Sequence, residues 1–233
     1  MQEWWTDFVN AFVLNFIKDD RWKFLTEGLF VTLQVTVFAC LLGVVLGFLV
    51  AIIRSTHDST GKLKIPNFLC KVYLTVIRGT PVVVQLLIIY FVIFASTDID
   101  KVVVAIIAFG INSGAYVAEI VRAGIMSIDK GQTEASRSLG LSFFQTMRFI
   151  IIPQAFKNVL PALANEFIVL LKETSVCGYI ALQDLTKGGD IIRGLTYNAF
   201  MPLIAVALIY LIMVCILSAL VGKLERRLSN SAH

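Results

Sequence analysis

Apolar runs long enough to cross a bilayer recur along this chain, and that one feature excludes most folds. Gly28 to Ile53 contains no charged residue at all. At about 1.5 Å per residue it exceeds the roughly 30 Å of hydrocarbon that a helix has to span. Four further runs follow, Pro81 to Ala95, Val102 to Met126, Ala155 to Val176 and Tyr197 to Val221. A soluble domain of 233 residues cannot hide so many separate apolar segments. With 58% hydrophobic and only 15% charged residues, the surplus has to face lipid. The expected fold class is an all-α integral membrane protein with about five transmembrane helices.

The stretches between these runs set the organisation. Residues 1 to 26 mix Trp4, Trp5, Phe8, Phe12, Phe16 and Trp22 with Asp7, Lys18 and Arg21, which suits a segment lying at the membrane interface. From Pro66 to Ile77 apolar residues recur at helical spacing around Lys71, the pattern of an in-plane or shallow helix. The run from Pro81 to Ala95 is short enough to need residues before Pro81 to complete its crossing. Cys177 to Arg193 reads as a polar loop and residues 228–233 as a C-terminal tail. The start of the chain lacks a basic n-region and a small-residue cleavage site, so the whole sequence reads as mature.

Charge decides the orientation and excludes one class of partner. The formal net charge is +4, but the basic residues are scattered between apolar runs rather than gathered in a long block, so no nucleic-acid partner is implied. If the loop after the first span is cytoplasmic, that side collects Arg54, Lys62, Lys64, Lys71, Arg78, Lys130, Arg137, Arg148, Lys157, Lys223, Arg226 and Arg227. The other side collects only Lys18, Arg21, Lys23, Lys101, Lys187 and Arg193. The excess favours the N-terminus outside and the C-terminus inside. The four cysteines show no metal-ligand spacing and read as small packing residues. His57 has no partner in sequence and receives no role.

The segment 127–153 is too long and too patterned for a simple connection. Thr133 to Leu139 reads as a short helix closed by Gly140 as its C-cap, and Ser142 can cap the next turn. From the residues alone it is either a knob for a partner to grip or an amphipathic helix without one.

Glu134-Ala135-Ser136, Gly140 and Ile150-Ile151-Ile152-Pro153 resemble the cytoplasmic signature of ATP-binding-cassette importer permeases. That signature is a Glu-Ala-Ala triplet, a glycine after three further residues, and a closing Ile-x-Leu-Pro. Ser136 for Ala and Ile152 for Leu are the two departures, both mild in size. Arg78-Gly79-Thr80-Pro81, the stretch Ile111-Asn112-Ser113-Gly114-Ala115-Tyr116 with Glu119 and Arg122, and Leu171-Lys172-Glu173-Thr174-Ser175 narrow the resemblance to the polar amino acid permeases, over residues 27–227. The resemblance implies a transmembrane domain that pairs with a second permease copy or relative. It also implies two cytoplasmic ATPase subunits and an extracytoplasmic substrate-binding protein in a bacterial cytoplasmic membrane. Glu134, Ala135, Ser136, Gly140 and Pro153 would then belong to a coupling helix seated in the ATPase. The chain itself is expected to hydrolyse nothing and to hold no cofactor, with ATP and Mg bound by the partner; it has no Gly-x-x-x-x-Gly-Lys-Ser/Thr loop.

Polar residues inside spans carry the substrate expectation, because ionisable groups in hydrocarbon cost a few kcal/mol even on lenient scales. Asn112 lies roughly 15 Å along the third span, and Asn165 and Glu166 a similar distance along the fourth. All three therefore reach the midplane, where transporters hold cargo. Glu166 could accept the ammonium of an amino acid and the two amides could serve its carboxylate, or Asn165 and Glu166 could simply bond neighbouring spans. An anionic Glu166 points to cationic substrates such as arginine, lysine or histidine. Arg78, Gly79, Thr80 and Pro81 break the helix and read as gate or pathway lining. Thr174 and Ser175, with Lys172 and Glu173, fall at the outer end of the fourth span, either lining the mouth or meeting the binding protein. Glu119 and Arg122, three apart, read as an intrahelical ion pair. Two other classes stay open on the residues alone: an ion-driven transporter with Glu119 or Glu166 carrying protons, and a non-transporting membrane scaffold.

Overall fold

A computed structural model describes residues 2–230; the last residues of the expected tail, 231–233, lie outside the described part. Helix α1, Gln2–Phe12, exposes Trp4, Trp5, Phe8 and Phe12. A π-turn over Val13–Ile17 and a kinked 3-10 turn at Lys18–Asp20 lead into α2, Trp22–Thr60. This helix starts before the first expected span and runs past its end, so the boundary expected at residue 26 falls inside a helix. Its 39 residues make about 58 Å, well beyond one hydrocarbon core.

The second crossing differs from a single straight run. α3, Lys64–Arg78, and the α-to-π stretch α4, Val82–Ile88, continued over Ile89–Ile93, are bent by 108° at Gly79–Pro81. Taken together the bent pair is long and apolar enough for a broken span or a re-entrant loop. α5, Lys101–Met126, matches the third expected span closely and is N-capped by the Asp100 side chain on the N–H of Val102. After it come the short helices α6, Lys130–Ser138, and α7, Phe143–Thr146, and then α8, Ile152–Glu173, which holds Pro161 inside it. α2, α5 and α10, Phe200–Asn230, are each long and apolar enough to cross unaided. α8 has the length to cross as well, at about 33 Å for its 22 residues.

The expected polar loop at 177–193 contains a helix, α9, Leu185–Thr196. Asp184 caps it by accepting from the N–H groups of Thr186 and Lys187. Leu185 and Ile192 are buried, whereas Lys187, Asp190 and Arg193 carry the polar side that disguised the segment as a loop. The Lys187 ammonium and the Arg193 guanidinium beside Asp190 hold its carboxyl below the usual carboxylate range.

The core is built on α2 against α5, the most extensive helix pair. A Cβ on Gly43 would meet the Ser113 side chain at 2.9 Å, and one on Gly47 would meet Val117 Cγ1 at 2.5 Å. From the other side, a Cβ on Gly110 would meet Leu42 Cδ2 at 2.6 Å. Two glycine pairs at i, i+4 thus bring the backbones together, the device membrane helices use in place of a hydrophobic drive. Val35, Ala39, Ala105, Ala108 and Phe109 fill the same seam.

Gly47→Leu is expected to destabilise the fold by about 1–3 kcal/mol through overpacking. Gly222→Leu, where nothing lies within 4 Å, should be neutral. Thermal denaturation of the purified variants in detergent checks the pair; equal midpoints would refute the tight seam.

Candidate functional site

α5 presents its polar residues to different neighbours at successive heights. At the middle of the helix Asn112 and Ser113 are both buried. Asn112 Nδ2 donates to Gln85 Oε1 of α4 at 2.9 Å, and Ser113 Oγ donates to Glu166 Oε1 of α8 at 3.0 Å. Because adjacent residues sit about 100° apart around a helix, the two bonds reach different neighbours, and α5 joins α4 to α8 as a polar hub. Asn112 Oδ1 is buried and finds no hydrogen-bond partner. An acceptor left open in such a place is a free valence for a donor, since buried polar atoms are ordinarily satisfied.

Of the three expected midplane residues, Asn112 and Glu166 are therefore buried around α5, each with its own neighbour. Asn165 is exposed on the isolated chain. It shares the open side of α8 with Gln154 and Asn158, and Asn158 Nδ2 donates to Ser127 Oγ at 2.9 Å. An amide facing outward halfway along a membrane helix cannot be left to hydrocarbon without cost, so this side calls for a protein or water neighbour. Gln85 was not singled out in the sequence, where it hides in the run Val82-Val83-Val84-Gln85-Leu86-Leu87; its polarity inside an apolar run was the available signal.

Toward the α6 end of α5, the expected Glu119–Arg122 ion pair does not form. Glu119 Oε1 instead accepts from Arg54 Nη1 of α2 at 3.0 Å and lies 3.8 Å from Arg78 Nη1 of α3. Arg122 turns to Asp58 of α2 at 3.7 Å. Residues three apart can pair only if nothing better is in reach, and two guanidinium groups from other helices are. Arg78 also stands over the Tyr116 ring at 5.8 Å. The break Arg78–Pro81 is thus tied to α5 by charge, while Thr80 Oγ1 donates back to the carbonyl of Val76 at 2.8 Å.

At the opposite end Thr174 is fully buried, its hydroxyl donating to Leu171 O at 2.8 Å. Ser175 lines a cavity of about 290 Å³ with Gly178, Tyr179, Thr186, Lys187 and Asp190. The two neighbours expected at one mouth therefore divide, Thr174 into the packing and Ser175 into an open polar recess.

The segment between α5 and α8 has the shape expected of it. Asp129 caps α6 by accepting from the N–H of Gly131 at 2.6 Å. Gly140 stops the helix with φ 85°, in the left-handed region, and Ser142 and Gln145 form a reciprocal capping box at the start of α7. Glu134 and Ala135 on the short helix and Leu139 just after it are exposed, and Ser136 is buried with its hydroxyl on Gln132 O at 2.6 Å. Pro153 is the second residue of α8, which follows directly on a π-turn over Met147–Ile151. Among the described residues, no three His, Cys, Asp or Glu side chains gather as a metal site would need.

Helices long and apolar enough to cross a membrane, joined through buried polar contacts on α5 and carrying a capped helical segment between α5 and α8, define a helical membrane protein. Residues 43–230 match the family described as "Binding-protein-dependent transport system inner membrane component". A putative glutamine transport system permease protein of Rickettsia typhi is 39% identical over 207 residues, covering 88% of this chain and 93% of that protein. The arginine transport system permease protein of Bacillus subtilis is 39% identical over 210 residues, covering 89% and 94%. A crystal structure of an amino acid ABC transporter with histidines superposes with a TM-score of 0.82 at 43% identity, covering 88% of this chain and 94% of that one. An inward-facing methionine ABC transporter matches with a TM-score of 0.75 at 21% identity, a likeness of fold alone. The chain belongs to this family: it is a permease subunit of the polar amino acid class of ABC importers, a bacterial inner-membrane transport component.

Glu119→Gln removes an ionised acceptor from Arg54, whose side chain is only 13% exposed, and should cost about 1.5–3 kcal/mol. Arg122→Gln breaks a longer pair with an Asp58 side chain that is 52% exposed, and should cost about 0–1 kcal/mol. Denaturation midpoints of the two variants test this order, and equal losses would restore the intrahelical reading.

Proposed function

We propose that this permease carries polar amino acids with a preference for cationic side chains, inward, as one of two paired membrane subunits. The observation that supports this best is the pair of buried polar groups around the middle of α5, the carboxyl of Glu166 and the open acceptor Oδ1 of Asn112. An amino acid brings an ammonium that needs acceptors, and a cationic side chain brings a second positive group. Two acceptors buried at this depth answer that chemistry, and a carboxylate among them favours cations over neutral side chains. One of the two Nδ2 hydrogens of Asn112 is engaged by Gln85, and its open Oδ1 is the atom we assign to the ammonium. Among the relatives, one is an arginine permease and one structure is of a transporter with histidines, while others are glutamine permeases.

The second copy or relative would cover the open side of α8, where Asn165 and Asn158 otherwise meet lipid. A second copy of this chain is the simpler partner, because one chain carries both the hub and the knob. The distribution of basic residues orients the N-terminus outward, which sets α6 in the cytoplasm. There Glu134, Ala135 and Leu139 would seat in a groove of each of two ATPase subunits that bind ATP and Mg. The recess at Ser175 would face an extracytoplasmic binding protein. Arg78, Gly79, Thr80 and Pro81 would line the path toward the cytoplasm, held by Glu119.

ATP-driven uptake into proteoliposomes containing the permease, its ATPase and its binding protein tests this reading. Glu134→Lys should abolish uptake, and Glu166→Gln should reduce the preference for cationic over neutral amino acids by about tenfold, the equivalent of one charge-assisted hydrogen bond. Unchanged preference in Glu166→Gln would remove the cationic assignment, and uptake surviving Glu134→Lys would remove the knob's coupling role.

A further inference from the structure

The side chain of Gln85 performs a task set by the break behind it. In an unbroken helix the carbonyl of Ile77 would accept from the N–H of residue 81, but Pro81 has none. The carbonyl of Thr80 is bypassed as well, because the N–H groups of Val84 and Gln85 both go to Pro81 O, at 3.0 and 3.2 Å. The carbonyls of Ile77 and Thr80 are thus left without a backbone donor at the break. One amide takes up both. Gln85 Nε2 donates to Ile77 O at 2.7 Å and to Thr80 O at 3.0 Å, with Thr80 Oγ1 at 2.8 Å.

These acceptors fix which way the amide lies. With Nε2 committed to the break, Oε1 is the atom left for Asn112, so Asn112 has to present its Nδ2 donor there. Asn112 Oδ1 is consequently the free end of a continuous chain of hydrogen bonds. That chain runs from the open acceptor through Asn112 and Gln85 to the carbonyls of Ile77 and Thr80. Arg78, which with Gly79 lies between them, is held against Glu119 and Tyr116.

We propose that Gln85 is a positioning residue that ties occupancy at Asn112 to the geometry of the Arg78–Pro81 break. This rests on the reading that the amino acid's ammonium is received at mid-membrane. A donor arriving at Asn112 Oδ1 draws the Asn112 amide toward itself. Gln85 follows through the Oε1 bond, and its grip on the two carbonyls changes with it. The bent pair α3–α4 then has a reason to adopt one angle when the site is full and another when it is empty. Hydrogen bonds in series inside a low-dielectric site polarise one another, which favours such transmission over a single contact.

The test is amino-acid-stimulated ATP hydrolysis by the complete reconstituted complex, permease with ATPase and binding protein, with arginine, histidine and glutamine as the added amino acids. Gln85→Leu should lower the ratio of stimulated to basal hydrolysis about tenfold and raise the half-saturating amino acid concentration. Pro81→Ala can return an N–H to the Ile77 carbonyl, so Gln85→Leu combined with Pro81→Ala should recover membrane insertion without recovering the ratio, judged against Pro81→Ala alone. Where Gln85→Leu by itself fails to insert, the double variant is the readout. A wild-type ratio in inserted Gln85→Leu overturns the proposal, and so does full recovery of the ratio in the double variant, which would make Gln85 a staple for the backbone and nothing more. A wild-type complex that responds to none of the three amino acids overturns the transport reading itself, a result distinct from either.

Discussion

Close approach of α2 and α5 is the constraint on which the rest depends. Gly43 and Gly47 on one helix, and Gly110 and Gly114 on the other, carry no Cβ at their points of contact, and the helices approach closely there. A Cβ on Gly114 would also stand 2.8 Å from the Tyr73 hydroxyl, which donates to Ile111 O at 2.6 Å and brings α3 to the same place. Helices in lipid gain nothing from hiding apolar surface, so contact distance and interhelical hydrogen bonds decide which pairs form. Once α5 is pinned against α2 and α3, the directions of Asn112, Ser113, Tyr116 and Glu119 follow from helical geometry alone.

That pinning turns one helix into a distributor of polar contacts. Mid-membrane, α5 hands one amide to the bent pair α3–α4 and one hydroxyl to α8. Nearer α6 it hands a carboxylate to Arg54 and Arg78, so the same bent pair is gripped at two heights. The far end is held differently. Thr32 Oγ1 accepts from the N–H of Leu185 at 3.0 Å, and Gly28 lets the Asp184 carbonyl against α2. α9 is thereby fixed to α2 rather than to α5. α9 is thus held apart from the hub, whose other neighbour, the bent pair α3–α4, turns by 108° at Gly79–Pro81.

Much of this was legible in the residues, and the parts that were not share a cause. The spans showed because lipid imposes a long uninterrupted apolar run, and the caps of the 127–153 segment showed because Gly140 and Ser142 act within a few residues of their own position. Local chemistry reads locally. α9 was missed because Lys187, Asp190 and Arg193 dominate a stretch whose buried residues, Leu185 and Ile192, lie seven apart and are separated by a pair of glycines. The Glu119–Arg122 pairing failed because spacing within a helix says nothing of Arg54, a residue on another helix entirely. Asn165 and Glu166 share a depth, but which of them turns inward depends on the rotation of α8, and Pro161 below them makes that rotation hard to extrapolate. Gln85 shows the opposite case: its polarity in an apolar run was in plain view, and its meaning needed the 108° bend.

The central claim is that a single polar amino acid is received around the middle of α5, by Asn112 and Glu166. A cryo-electron microscopy structure of the permease–ATPase complex prepared with arginine examines this most directly. The account predicts ligand density with a nitrogen within about 3 Å of Asn112 Oδ1 or a Glu166 carboxylate oxygen. Density held elsewhere, on the open side of α8 with Asn112 and Glu166 both out of reach, would contradict it.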